Sequence, residues 1–269
     1  MKQMNFLRNA LLSLAVLVTV GCSTVPITGR RQVSLVSDQE VMQMSLQAYR
    51  EMMSQSKLSN NAQQTAMVKR VGQRIQQAVE TYMRQQGASD QLAGYQWEFN
   101  LIDDPKQQNA FAMAGGKTAV YTGLLPITQD ETGLAVVMGH EIAHVIAKHV
   151  NERISQQMLA EAGGGVIGAA TGQGGATSQV VNVAYGIGAG VGMMKFGRTQ
   201  ESEADRLGLI FMAMAGYNPE AALTFWKRMD AASGWQSQPE ILSTHPSNQT
   251  RIADIQKHLP EAKKYYSGR

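Results

Sequence analysis

Between Gly139 and His149 the chain reads GHEIAHVIAKH, three histidines and a glutamate inside an otherwise apolar run. No other stretch constrains the fold as tightly, because imidazoles at this spacing meet only if the segment is helical. A helix turns about 100° per residue, which leaves His140 and His144 about 40° apart on one face, able to grip a single ion. Glu141 is offset from His140 by about 100°, where its carboxylate addresses a water on the metal rather than the metal itself. The spacing is H-E-x-x-H, which reads as a zinc pair with a general base. On a continuing helix His149 falls roughly 180° from His140 and about 140° from His144, so it is expected on the other side. By composition the motif arises by accident in about one chain in a hundred of this length, and a second signal is needed.

The flanking residues predict the helix. Thr128 and Glu131 form a capping-box pattern, and Leu134, Ala135, Met138, Ile142, Val145 and Ile146 follow at helical spacing. Upstream, Ser37 with Glu40 opens a helix through about Ser54, and Val68, Val71, Ile75, Val79 and Tyr82 mark the buried stripe of a second. YQWEFNLI, Tyr95 to Ile102, alternates as a strand does, and AVYTG from Ala119 suggests another strand after a Gly115-Gly116 turn. These elements predict an α+β fold, predominantly helical, with a small β-sheet. The chain has 269 residues, 43% of them hydrophobic, enough for one ordinary core, so residues 37–269 are expected to form one domain. Residues 163–192 turn rich in Gly, Ala and Val, but Gln173, Ser178, Gln179 and Asn182 interrupt them. That segment predicts either a mobile cover of short helices and loops near the site or ordinary small-residue packing, not a membrane span.

Residues 1–21 read as a secretory signal: Lys2 and Arg8, then the apolar run LLSLAVLVTV, then Gly21 before Cys22. The run is too short to span a bilayer comfortably. Cys22, the single cysteine of the chain, stands at the expected cleavage point and cannot form an internal disulfide. VTVGC resembles the signal of bacterial lipoproteins, with Gly21 and Cys22 matching and Thr19 where leucine is usual. That resemblance implies lipidation at Cys22, and Ser23 after it resembles the pattern sent to the outer membrane of Gram-negative bacteria. The alternative is a free thiol left after a plain secretory signal. Residues 22–36 then read as a tether. The net charge of +3 falls to +1 once Lys2 and Arg8 are removed, which gives no electrostatic reason to expect nucleic acid as a partner.

Catalytic zinc takes three protein ligands and keeps one position for water. RTQESEADRLG, from Arg198 to Gly208, supplies a candidate third ligand: Glu201 and Asp205 share a helical face at i, i+4. Glu201 could bind the metal while Asp205 accepts the N–H of a ligating imidazole. Glu203, about 200° round the helix from Glu201, is expected to be uninvolved.

HEIAH followed about sixty residues later by RTQESEAD resembles the HtpX and CAAX-prenyl-protease family of gluzincin-type zinc metallopeptidases. It looks most like the soluble periplasmic lipoprotein members, of the BepA and LoiP type. The likeness runs from about Val33 to about Leu259 and includes NAFAMAGGKTAVYTGLL, AGYNPEAALTFWKRM and STHPSNQTRI. It implies a zincin-like domain with one Zn2+ on His140, His144 and Glu201, Glu141 as general base, and Asp205 behind the ligands. It also implies that NAFAMAGGKTAVY is an edge strand able to pair with an extended peptide. The membrane-spanning helices that flank the site in HtpX are not legible in this chain. His245, in STHPS, has a family-like context and three readings: oxyanion stabiliser, occupant of the open zinc position at rest, or structural turn. His258 is expected to be a solvated helix residue. The implied function is a zinc metalloendopeptidase acting on unfolded or misassembled envelope proteins from the periplasmic face of the outer membrane. The alternative is a periplasmic chaperone or assembly factor for outer-membrane proteins with a structural zinc, against which an intact Glu141 argues.

Overall fold

The computed structural model describes residues 21–163, 196–232, 241–245 and 249–268. The secretory-signal reading of residues 1–20 and the Gly-rich residues 164–192 lie outside these. Among the described residues no helix is long and apolar enough to cross a membrane.

Where a tether is expected, the chain pairs into an antiparallel hairpin, β1 (Cys22–Thr24) on β2 (Arg31–Val33), in register Ser23 to Gln32. Val25 is fully buried and Gly29 takes the left-handed conformation, φ 72°, that closes the turn. Val25, the glycine turn and the polar contacts of Thr28 and Arg30 with Glu203 and Glu152 dock a segment whose composition alone reads as linker.

The helix α1 (Asp38–Gln55) opens with the reciprocal capping box of Ser37 and Glu40. In α2 (Ala62–Gln85) the stripe Val68, Val71, Ile75, Val79 and Tyr82 is buried as its spacing predicts. The strands β3 (Glu98–Ile102), β4 (Ala110–Met113) and β5 (Lys117–Tyr121) form one sheet in the order β3-β5-β4, with β3 parallel and β4 antiparallel to β5. All four residues of β4 are buried, so it lacks the alternation that betrays a strand in sequence. It is an edge strand of this sheet.

The predicted capping box of Thr128 and Glu131 does not form. Thr128 ends a short helix, α3 (Leu125–Thr128), where its hydroxyl donates to the Leu125 carbonyl, and Gln129 turns the chain at φ 69°. Asp130 then caps α4 (Glu131–Ile146), its carboxylate accepting from the Gly133 N–H at 2.7 Å. Every residue of α4 from Gly133 to Ile146 is buried. A helix covered on all sides is a core element, and α2, α3, β4, α6 (Arg198–Met214) and α7 (Ala221–Ala232) all pack on it. Lys148, at φ 56°, interrupts the helix before α5 (His149–Gly163) begins. The turn α8 (Ile241–Thr244) and the helix α9 (Gln249–Ala262) complete the order. His258 on α9 is half-buried, with Nε2 3.3 Å from the Ser202 hydroxyl, rather than solvated.

The most extensive helix pairing is α4 with α6, and their backbones touch at two glycines. A Cβ on Gly208 would lie 2.9 Å from the His140 nitrogen and 3.0 Å from the Gly139 carbonyl carbon; a Cβ on Gly139 would lie 3.0 Å from the Gly208 oxygen. Only backbone is there to yield. We therefore predict that Gly208→Ala, by forcing the helices apart, lowers stability by about 1–3 kcal/mol in urea denaturation. An unchanged midpoint would show that the crossing tolerates a methyl group and is not the constraint described.

Candidate metal centre

The crossing brings α4 and the first turn of α6 face to face, and four side chains converge between them. His140 and His144 come from α4, Glu201 from α6, and His245 from the residue after α8, where its N–H donates to the Ile241 carbonyl at 2.9 Å. Ile241 is in turn tied to the Gln108 carbonyl ahead of β4. All four are buried, and one donor atom from each lies within 4.8 Å of the others. His140 Nε2 is 3.0 Å from His144 Nε2 and 3.2 Å from His245 Nδ1, which is 2.9 Å from Glu201 Oε1. His144 Nε2 lies 3.4 Å from Glu201 Oε1, and His140 Nε2 lies 3.5 Å from Oε2. Ligands held tetrahedrally at ~2.0–2.1 Å from zinc stand about 3.3 Å apart. Three imidazoles and one carboxylate at this spacing therefore fit a zinc-type cation.

The electrostatics point the same way. Burial and the Arg251 charge pull His140 down, but the Asp205 and Glu201 carboxylates outweigh them and raise it to about 9. Burial holds His144 well below its ordinary value, neutral and able to donate a lone pair. Burial would raise Glu201, yet the His245 and Arg251 charges keep it well below the usual carboxylate range, and so ionised. The centre favours positive charge.

Behind each α4 histidine stands a separate support. Asp205 Oδ1 lies 2.9 Å from His140 Nδ1, as the i, i+4 spacing with Glu201 suggests, and Arg251 of α9 clamps that carboxylate at 2.7 and 2.8 Å. Arg251 also reaches Glu201 Oε2 at 2.9 Å, and its guanidinium lies 3.4 Å over the Trp226 ring. Sequence reasoning missed Arg251, since an arginine on a C-terminal helix carries no spacing signal toward residues fifty positions away.

The expectation that His149 points away is wrong, for a definite reason. The left-handed turn at Lys148 ends α4, so the helical wheel no longer applies, and the chain doubles back to set His149 Nδ1 2.8 Å from His144 Nδ1. His149 Nε2 lies 2.9 Å from Glu203 Oε2. Glu203 is likewise not idle: it is buried, and it accepts from Arg30 Nε at 2.5 Å and from the Thr28 hydroxyl of the N-terminal hairpin.

Glu141 lies beside the four donors. Among the described residues its buried Oε1 accepts no hydrogen bond, and its nearest charged neighbour is His245 Nε2 at 3.5 Å. A buried carboxylate oxygen with no hydrogen bond among the described residues, next to a cation-fitting cluster, is placed to take a proton from something that enters. Phe196 closes another side, 4.0 Å from the His144 ring and 5.1 Å from that of His245, and Arg153 stacks on it at 4.0 Å. Arg153 is buried with its guanidinium unpaired among the described residues, and burial lowers it to about 10.

Comparison with known proteins agrees with this geometry. The model of peptidase family M48 matches residues 69–259, which include all the α4, α6 and α9 residues above and exclude the hairpin. Mitochondrial metalloendopeptidase OMA1 of Schizosaccharomyces pombe is 36% identical over 242 residues, covering 88% of this chain and 66% of its own length. The OMA1 of Saccharomyces cerevisiae is 33% identical over 181 residues, 65% of this chain and 50% of its own. The beta-barrel assembly-enhancing protease of Escherichia coli is 28% identical over 239 residues, 86% of this chain and 46% of its own. The chain thus spans between about half and two thirds of these relatives.

Two substitutions, with a third as control, test the ligand geometry. Glu201→Ala is expected to lower bound metal well below that of the unaltered protein, whereas Glu220→Ala, which removes only an exposed ion pair with Lys263, leaves it unchanged. Asp205→Ala is expected to weaken metal binding roughly ten- to hundredfold in a chelator competition. Full metal content in Glu201→Ala would remove that residue from the ligand set.

Proposed function

The chain belongs to peptidase family M48, and on that premise we propose that it is a zinc-dependent metalloendopeptidase acting on unfolded or misassembled proteins of the bacterial envelope. The observation that carries the reading is the buried Oε1 of Glu141, without a hydrogen bond among the described residues, beside three imidazoles and a carboxylate at zinc-ligand spacing. A structural zinc site has no use for such a base.

When bound, zinc supplies a Lewis acid for the scissile carbonyl and makes water acidic near neutral pH. The remaining work falls to this chain. His140, His144 and Glu201 would hold the ion, and Asp205, 2.9 Å from His140 Nδ1, keeps the proton on that nitrogen so that Nε2 faces the other donors. Glu141 accepts the proton of the attacking water and passes it to the departing amine. By its place at the edge of the sheet beside α4, β4 is the strand that an extended peptide would pair with, and since its four residues are buried in this structure that edge must first be uncovered. Recognition through backbone depends little on side chains, which suits unfolded substrates.

Catalytic zinc keeps one position open, and here His245 Nδ1 stands among the donors as a fourth. We read this as the resting arrangement, in which His245 must withdraw before water and substrate enter. For the location, the support is the sequence of residues 1–22: a lipid on Cys22 and the periplasmic face of the outer membrane as its destination. The E. coli relative's name, beta-barrel assembly-enhancing protease, fits an envelope substrate.

The decisive experiment is cleavage of an unfolded protein by the purified chain and by Glu141→Gln, with zinc measured in both. Glu141→Gln is expected to keep one zinc per chain and lose cleavage; equal cleavage by the two would overturn the mechanism. His245→Ala separates its roles by sign: release of a resting ligand raises peptide hydrolysis, whereas loss of an oxyanion donor lowers kcat by about 10²–10³ with zinc retained. An increase is expected, and a decrease of that size would assign His245 to the transition state instead.

A further inference from the structure

The two α4 histidines are held differently. His140 donates directly to a carboxylate, as ligating imidazoles commonly do. His144 instead meets a second imidazole. With His144 Nε2 turned to the other metal donors, its Nδ1 must carry the proton, and the acceptor at 2.8 Å is His149 Nδ1. His149 must then carry its proton on Nε2, and the acceptor there is Glu203 Oε2 at 2.9 Å. This is a single proton arrangement with a donor and an acceptor at each junction.

Glu203 is where the line leaves the peptidase helices. Thr28 donates to its Oε1 and Arg30 Nε to its Oε2, both from the turn of the β1–β2 hairpin. The Arg30 guanidinium is also fixed by Glu152, at 2.9 Å, and by the side-chain Oε1 of Gln32, at 3.0 Å. Glu152 accepts in addition from Gln200, on the same turn of α6 as Glu201. The hairpin lies outside residues 69–259, the stretch matched by the family.

We propose that the N-terminal hairpin is a working part of the metal centre: Arg30 and Thr28 fix Glu203, Glu203 fixes His149, and His149 sets the tautomer and aim of His144. The inference rests on the zinc reading above. Arg30, Thr28, Glu203 and His149 are positioning residues; none of them contributes a donor atom to the cluster. The backbones of Cys22 and Val33 pair at the base of this hairpin.

The test is zinc affinity of the full purified chain by chelator competition, with the melting temperature of the zinc-free protein recorded for each variant. Arg30→Ala is expected to weaken zinc about tenfold, toward the lower end of the losses seen behind metal ligands. Arg31→Ala, an exposed neighbour on the same hairpin, is expected to change nothing. Thr28→Val removes the second hold on Glu203 without altering charge and is expected to weaken zinc in the same direction. A double-mutant cycle between Arg30→Ala and His149→Gln distinguishes transmission from general damage: if Arg30 acts through His149, its effect disappears once His149 is replaced. Additive effects, or unchanged zinc affinity in both Arg30→Ala and Thr28→Val, would overturn the proposal. Failure of the unaltered protein to bind zinc would overturn the underlying reading as well, and is seen in the same measurement before any variant is compared.

Discussion

The contact between the backbones of α4 and α6 at Gly139 and Gly208 sets the distance on which the centre depends. Gly139 immediately precedes His140, and Gly208 lies three residues beyond Asp205, so the closest approach of the two helices falls beside the residues that must meet. Side chains as short as glutamate and aspartate reach across only because no Cβ stands between the helices. With the spacing fixed, Glu201 falls opposite both imidazoles and Asp205 falls behind one of them. The burial of α4 on all sides follows from the same need, since ligands placed to within fractions of an ångström require a helix that cannot tilt.

Such a centre concentrates charge where charge is expensive. Glu201, Asp205 and Arg251 are buried together, and removing one member of such a group typically costs about 3–5 kcal/mol because the others are left uncompensated. Arg251 meets this by serving two carboxylates at once, its flat face covered by Trp226. A lysine could not take the same place: it has no planar fork to bind Asp205 at two oxygens and no flat cation to stack.

Much of this was legible in the sequence, and the losses have identifiable causes. Helical spacing paired His140 with His144 and Glu201 with Asp205, because α4 and α6 are regular where it matters, but that the two pairs meet at one site came from the family resemblance. The same wheel misplaced His149, since nothing in VIAKHV announces a left-handed Lys148, a conformation lysine seldom takes. It also set Glu203 aside, because the wheel knows which face a residue occupies but not what covers that face. The hairpin was misread as a tether for want of periodicity: three-residue strands are too short to show any. β4 came from the family resemblance and not from alternation, which burial on both faces erases, and the stretch NAFAMAGGKTAVY divides into the edge strand β4 and the central strand β5. Asp130 rather than Thr128 caps α4 because Gln129 adopts a positive φ between them.

The stacking of Trp226 has a consequence of a different kind. Its indole lies 5.7 Å from the ring of His140 and 3.4 Å from the guanidinium carbon of Arg251, while Trp97 belongs to an aromatic row with Tyr95 and Phe99 on the sheet. Indole emission responds to the charge and protonation of groups in contact with the ring, so the light that Trp226 returns carries the electrical state of the centre. Of the chain's three tryptophans, Trp226 is the one, among the described residues, whose emission is expected to change with the charge of the centre, without dye or substrate.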